Sequence, residues 1–201
     1  MRKKRGMHKG SFSILGDINQ VVKVLIVSDL LVLSAVGLIT PIFAIFVSDN
    51  IPGASIAVVG VSQAIFIFAK SFFMIPSALV IDGKKGERDD FLWMFVGTVL
   101  FSFLPLFYII IDSVAELYIL QFFYGLSGAL ISPAWNAIWV RHMDKGHEGV
   151  ENGLYYTLVG MGGAFTASVG GILADKFGFD VLFVLVAIFS SFGSLLLLLV
   201  Y

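Results

Sequence analysis

Residues 21–47, VVKVLIVSDLLVLSAVGLITPIFAIFV, decide the fold class, because this run can cross a bilayer and still holds a carboxylate, Asp29, in its interior. A spanning helix needs roughly 20 apolar residues at about 1.5 Å each. Each Leu, Ile, Val or Phe contributes about −0.3 to −0.6 kcal/mol near the helix centre, against about +3 kcal/mol for one Asp, so the run inserts despite Asp29. The carboxylate therefore asks for a reason.

The rest of the chain has the same character: of 201 residues, 58% are hydrophobic and only 13% charged, which excludes an ordinary soluble domain. Lys and Arg together number 13 against 14 Asp and Glu, so net charge points to no partner, and no nucleic acid is expected. Without cysteine there is no disulfide or thiolate chemistry. The 21 glycines fit helices in close contact within a membrane.

Residues 1–20 read as a basic cytoplasmic tail with Arg2, Lys3, Lys4, Arg5 and Lys9, and residues 21–201 as a six-helix transmembrane bundle. After the first segment, apolar runs cover about 56–81, 91–111, 117–140, 153–173 and 181–201. Between them lie SDNIPGAS, the charged DGKKGERDD (82–90), IDSVAE, RHMDKGHEGVEN (141–152) and DKFGFD. Basic residues gather in the tail, in the second–third loop (Lys84, Lys85, Arg88) and in the fourth–fifth loop (Arg141, Lys145). The opposite loops hold only Lys176, so both termini are expected in the cytoplasm, with the plasma membrane as the host bilayer.

The two halves echo each other. Val36-Gly-Leu-Ile-Thr-Pro41 reads like Gly128-Ala-Leu-Ile-Ser-Pro133 at an offset of 92, and Ala78-Leu-Val-Ile-Asp82 like Gly171-Ile-Leu-Ala-Asp175 at 93. A three-helix unit repeated once must be inverted in the membrane, since an odd number of crossings reverses the side of entry. Such three-plus-three repeats are an architecture of secondary transporters.

On these residues the chain resembles the amino-terminal six-helix half of a major facilitator superfamily transporter. In the family's second–third loop signature, Ala78 stands for the usual Gly, Asp82 matches the Asp, Gly86 comes one residue late, and Lys84, Lys85 and Arg88 supply the charge. In the fourth segment Gln121 precedes Gly125 where the family often has Arg. In the fifth, Gly162 and Gly170-Gly171 match a glycine pattern whose central Gly-Pro is replaced by Thr166-Ala167. The resemblance implies an all-α fold and secondary transport of a small solute. The full family fold has twice as many helices, so the half is expected to dimerise, to pair with a second six-helix half, or to be a fragment of a longer protein. The rival is a membrane scaffold that inherits the fold without alternating access.

Two intramembrane charges stand out. Asp29 lies roughly 12 Å and Lys70 roughly 18 Å from the cytoplasmic side, depths that overlap once the lysine stem reaches down. They are either a structural ion pair or an ion-coupling pair in which Asp29 takes up a proton or cation and Lys70 tunes it. Gln121, Gly125, Gly128, Ser132 and Asn136 form a small, polar stripe on the fourth segment. In the family this segment faces the central cavity, which makes Gln121, Ser132 and Asn136 candidates for lining it, while the glycines pack. Gly160-Met-Gly-Gly163 lacks the strand and spacing of a nucleotide fingerprint. His8, His142 and His147 have no metal-ligand spacing and read as solvated, and Trp135 and Trp139 as interfacial anchors. No nucleophile or HExxH motif appears, so neither catalysis nor a cofactor or metal is expected.

Overall fold

The structure, a computed structural model, describes residues 18–83 and 86–200, and these form helices without a strand. The first helix, α1 (Gln20–Gly37), starts on Asn19, whose Oδ1 accepts the Val21 N–H at 2.9 Å. It does not run unbroken to Val47 as the apolar run suggests. Pro41 lacks an N–H and its ring crowds the carbonyl one turn back, so the chain tightens to a 3₁₀ turn over Thr40–Ile42 and restarts as α2 (Phe43–Asn50). The Thr40 hydroxyl donates to the Val36 carbonyl at 3.0 Å, serving an acceptor at the break.

Next come α3 (Ile56–Gly83), α4 (Glu87–Phe103), a 3₁₀ extension over Leu104–Ile109, and α5 (Val114–His142). Glu87, Asp89 and Asp90 occupy the first turn of α4, where the helix dipole favours negative charge. At the start of α5, Ser113 Oγ accepts the Glu116 N–H and Glu116 Oε2 accepts the Asp112 N–H at 2.9 Å, a reciprocal cap.

The last helical run, α6 (Glu148–Leu196), holds 49 residues, and Gly178 interrupts it at φ 82°, ψ 170°. That is a left-handed backbone angle open chiefly to glycine. The run folds back there. Its first arm brings Gly162 against Leu30 and Ser34 of α1, and its second brings Gly193 against Ser28, Leu31 and Val32. Two points 31 residues apart could meet the same two turns of α1 only if the arms turn back on each other.

Among the described residues five runs are long and apolar enough to cross a membrane: Gln20–Asn50, Ile56–Gly83, Glu87–Ile109, Val114–His142 and the folded Glu148–Leu199. The chain is a multi-pass helical membrane protein. α1 packs on α6, while α3 and α4 pack on α5. One apolar cluster gathers Phe43, Phe46, Tyr108, Leu117 and Phe183; a second, at the other end of the bundle, gathers Val22, Leu25, Met94, Ile138 and Leu197. In the first, Phe46 meets Phe183 edge-on at 4.7 Å and Phe43 meets Tyr108 at 5.6 Å. Ile67, Phe68, Phe72, Ile75 and Leu79 of α3 stay exposed, a surface suited to lipid tails.

Candidate solute site

A cavity of about 390 Å³ opens between the break after α1, the first half of α3, the end of α4 with its 3₁₀ turn, the start of α5 and the second arm of α6. The break creates its near wall, because Val36, Ile39, Thr40 and Phe43 flank the turn that Pro41 imposes. Phe66, Phe101 and Tyr124 make an aromatic wall, with the Phe101 and Tyr124 rings 4.4 Å apart. Gln63 and Gln121 bring carboxamides to the same space. Gln121 is only 3% exposed, and its side chain has no hydrogen-bond partner among the described residues.

Gly125, one turn on, lets α3 approach: a Cβ there would collide with the Phe66 carbonyl and crowd Ala69. Gly128 lies under the stem of Lys70, whose Cδ would be 3.3 Å from a Cβ at that position. Ser132 donates to the Gly128 carbonyl at 2.9 Å, and the Asn136 amide donates to the Ser132 carbonyl at 2.7 Å. Neither residue lines the cavity, whereas Gln121 does.

The hydrogen-bond partner of Asp29 is not Lys70. No ion pair joins the two, and Asp29 Oδ2 instead accepts the Tyr155 hydroxyl at 2.9 Å, a bond from α1 to the first arm of α6. α1 packs on α6, which carries Tyr155, whereas α3 packs on α5, where the Lys70 stem lies against Gly128. Tyr155 is itself held by Trp135 and Trp139, which stack at 4.9 Å and lie 5.1 and 5.3 Å from its ring. Trp139 is 3% exposed and donates from Nε1 to Asn152 Oδ1 at 3.2 Å, so it packs inward instead of anchoring the headgroup zone. His142 is half-buried with Nδ1 3.0 Å from the Ile138 carbonyl and 3.1 Å from Glu87 Oε1, so it is not simply solvated.

Ala78 is half-buried near the end of α3, Asp82 and Arg88 are exposed, and Gly86 precedes α4. Lys84 and Lys85 of that loop lie outside the described residues, as do His8 and the basic tail. Beside this loop, the carboxylate of Asp90 is buried and ion-paired with Arg141 at the end of α5. No group of three or more metal-ligating side chains occurs among the described residues.

A family model described as Major Facilitator Superfamily matches residues 25–201, nearly the whole chain. The chain belongs to this superfamily. Among its superfamily relatives, an uncharacterized MFS-type transporter of Methanocaldococcus jannaschii is 25% identical over 166 residues, covering 82% of this chain and 41% of the relative. The uncharacterized MFS-type transporter YitZ of Bacillus subtilis is 26% identical over 167 residues, covering 82% of this chain and 96% of that protein. The chain thus spans under half the length of the first relative and nearly all of the second. The POT family transporter PepTSo superposes with a TM-score of 0.73 at 17% identity, over 90% of this chain and 37% of that one, a likeness of fold.

Sequence reasoning missed Tyr155, Gln63, Tyr124 and the Asp90–Arg141 pair. Only the last left a usable signal, an acid at the start of one segment and a base at the end of the next on the same expected side of the membrane.

Proposed function

We propose that this chain is one half of a gradient-driven transporter of a small solute, with Asp29 as its ion-responsive group. The observation that carries the reading is the neutral partner of Asp29. An intramembrane carboxylate clamped by a cation is locked in its charged form, whereas a tyrosine hydroxyl can hydrogen-bond either protonation state. Asp29 can then load and release a proton without losing its contact to α6. Lys70 stays in this proposal as the second intramembrane charge, positioned over Gly128, and Gln121, Ser132 and Asn136 as the polar side of the solute path.

In this reading the membrane is crossed six times, the folded last run counting twice, as a three-plus-three inverted repeat with both termini in the cytoplasm of a plasma-membrane protein. The loop with Ala78, Asp82, Lys84, Lys85, Gly86 and Arg88 then lies on the cytoplasmic face. A rocking mechanism needs a second bundle to rock against, so the working unit is a homodimer or a pair with another six-helix half. Superfamily membership favours transport over the scaffold reading, and over enzymatic activity.

The test is reconstitution into vesicles with an imposed pH gradient and a panel of solutes. Gradient-driven accumulation by the unaltered protein is expected, with Asp29→Asn losing accumulation while keeping downhill exchange. The double variant Asp29→Asn with Lys70→Gln is expected to fold and still not accumulate. Full accumulation by that variant would remove the coupling role of Asp29, and a protein that moves no solute in any pairing would leave the scaffold.

A further inference from the structure

The cavity beneath the break in α1 carries an inference about what it holds. We infer that it binds an uncharged, ring-bearing molecule whose polar group both donates and accepts hydrogen bonds, as a carboxamide does. The inference takes the transport reading as its setting and names the solute class.

Three observations converge. The lining residues include no Asp, Glu, Lys, Arg or His, so a charged solute entering this space would be buried without a counter-charge, at a cost that pairing normally offsets. The apolar part of the lining is dominated by rings, with Phe43, Phe66, Phe101 and Tyr124 offering faces and edges for a flat ligand. Finally, the Gln121 side chain, in a residue only 3% exposed, makes no hydrogen bond to another described residue and keeps its carboxamide atoms open to the cavity. A carboxamide carries two N–H donors and an acceptor oxygen, and a second carboxamide answers it on both sides. Gln63, on the facing helix, can close the other flank. The volume lies within the range of small-molecule sites. Asp29 and Lys70 are absent from the lining, so the charges proposed to sense the gradient and the groups that hold the solute are different residues.

The test uses the whole chain in lipid nanodiscs and three probes of one shape and different charge: benzamide, benzoate and benzylammonium. Benzamide at low millimolar concentration is expected to raise the thermal midpoint saturably, with the two ions at least about tenfold weaker. Gln121→Leu should weaken benzamide about tenfold, and Gln121→Glu should turn the preference toward benzylammonium. No saturable effect of benzamide, or equal or tighter binding of either ion, overturns the inference. So does undiminished benzamide binding by a folded Gln121→Leu protein. The charge series on the unaltered protein decides by itself if that variant does not fold. Because binding is read without a gradient, the two readings fail separately. Neutral-selective binding in a protein that moves nothing would strike the transport reading alone, and transport of an ion without benzamide binding would strike this one alone.

Discussion

The seam between α1 and α6 and the clamp between α4 and α5 solve the same problem differently. Each places a carboxylate between packed helices, buried for Asp90 and half-buried for Asp29. In the clamp, Asp90 is 1% exposed and meets the guanidinium of Arg141, a charge-for-charge match at the end of two helices. In the seam, Asp29 meets a tyrosine hydroxyl, and the helices are held by backbone approach: Gly170 sits so close to Leu38 that a Cβ would run into its carbonyl, and the Ser28 hydroxyl donates to the Gly193 carbonyl at 2.8 Å. The clamp depends on charge and the seam on contact, and the coupling role proposed for Asp29 rests on that contrast.

The largest effect should come from breaking that contact. Gly170→Ala drives a methyl group into the α1 backbone and is expected to cost about 3 kcal/mol. Gly171→Ala, where an added Cβ meets nothing within 4 Å, should cost under about 1 kcal/mol. Thermal unfolding in nanodiscs measures both, and equal costs would mean that the seam is not held by close approach.

The clamp comes next and should be asymmetric. Arg141→Ala strands a buried carboxylate and is expected to cost about 2 kcal/mol, below the range for fully buried pairs because the arginine is half-exposed. Asp90→Asn removes the buried charge but keeps a hydrogen-bonding group beside the half-exposed arginine, and should cost roughly half as much. The same unfolding assay compares them, and the reverse order would mean that Asp90 is not the member that needs its partner.

Tyr155→Phe removes the hydroxyl at Asp29 while keeping the ring against Trp135 and Trp139. A loss of about 1 kcal/mol is expected, the net worth of one hydrogen bond. A loss as large as that of Arg141→Ala would make Asp29 a clamp like Asp90.

Lys70→Met sharpens the contrast from the other side. The unbranched stem still lies over Gly128 and only the ammonium goes, so stability should rise by about 0.5 kcal/mol through relief of an intramembrane charge. A fall of more than about 1 kcal/mol would show an ion pair for Lys70.

What could be read from the chain follows from what hydropathy measures. Apolar runs and their polar gaps locate elements along the membrane normal, and the turn read at 175–180 coincides with the fold-back at Gly178. Local chemistry adjusted the ends: Ser113 starts α5 ahead of its apolar run, and Pro41 divides the first run in two. Depth is read in the same way, which is why Asp29 and Lys70 looked like partners. The direction in which a side chain leaves its helix relative to other helices is not a property of hydropathy. The partner of Asp29 is one of six tyrosines, 126 residues away, with nothing local to mark it. Gln121 could be singled out because its stripe repeats at helical spacing, but Gln63, without such a pattern, could not.

The fold-back at Gly178 also sets an order of assembly. α1 is made before α6, yet α6 supplies the groups that satisfy it: Tyr155 for Asp29, and Gly193 for Ser28, 165 residues downstream. During synthesis α3, α4 and α5 can pack among themselves before α6 exists, while α1 lacks the α6 partners of its carboxylate and hydroxyl. Closure of the hairpin onto α1 therefore has to follow the synthesis of α6, and a nascent chain halted before residue 155 would leave Asp29 without its tyrosine.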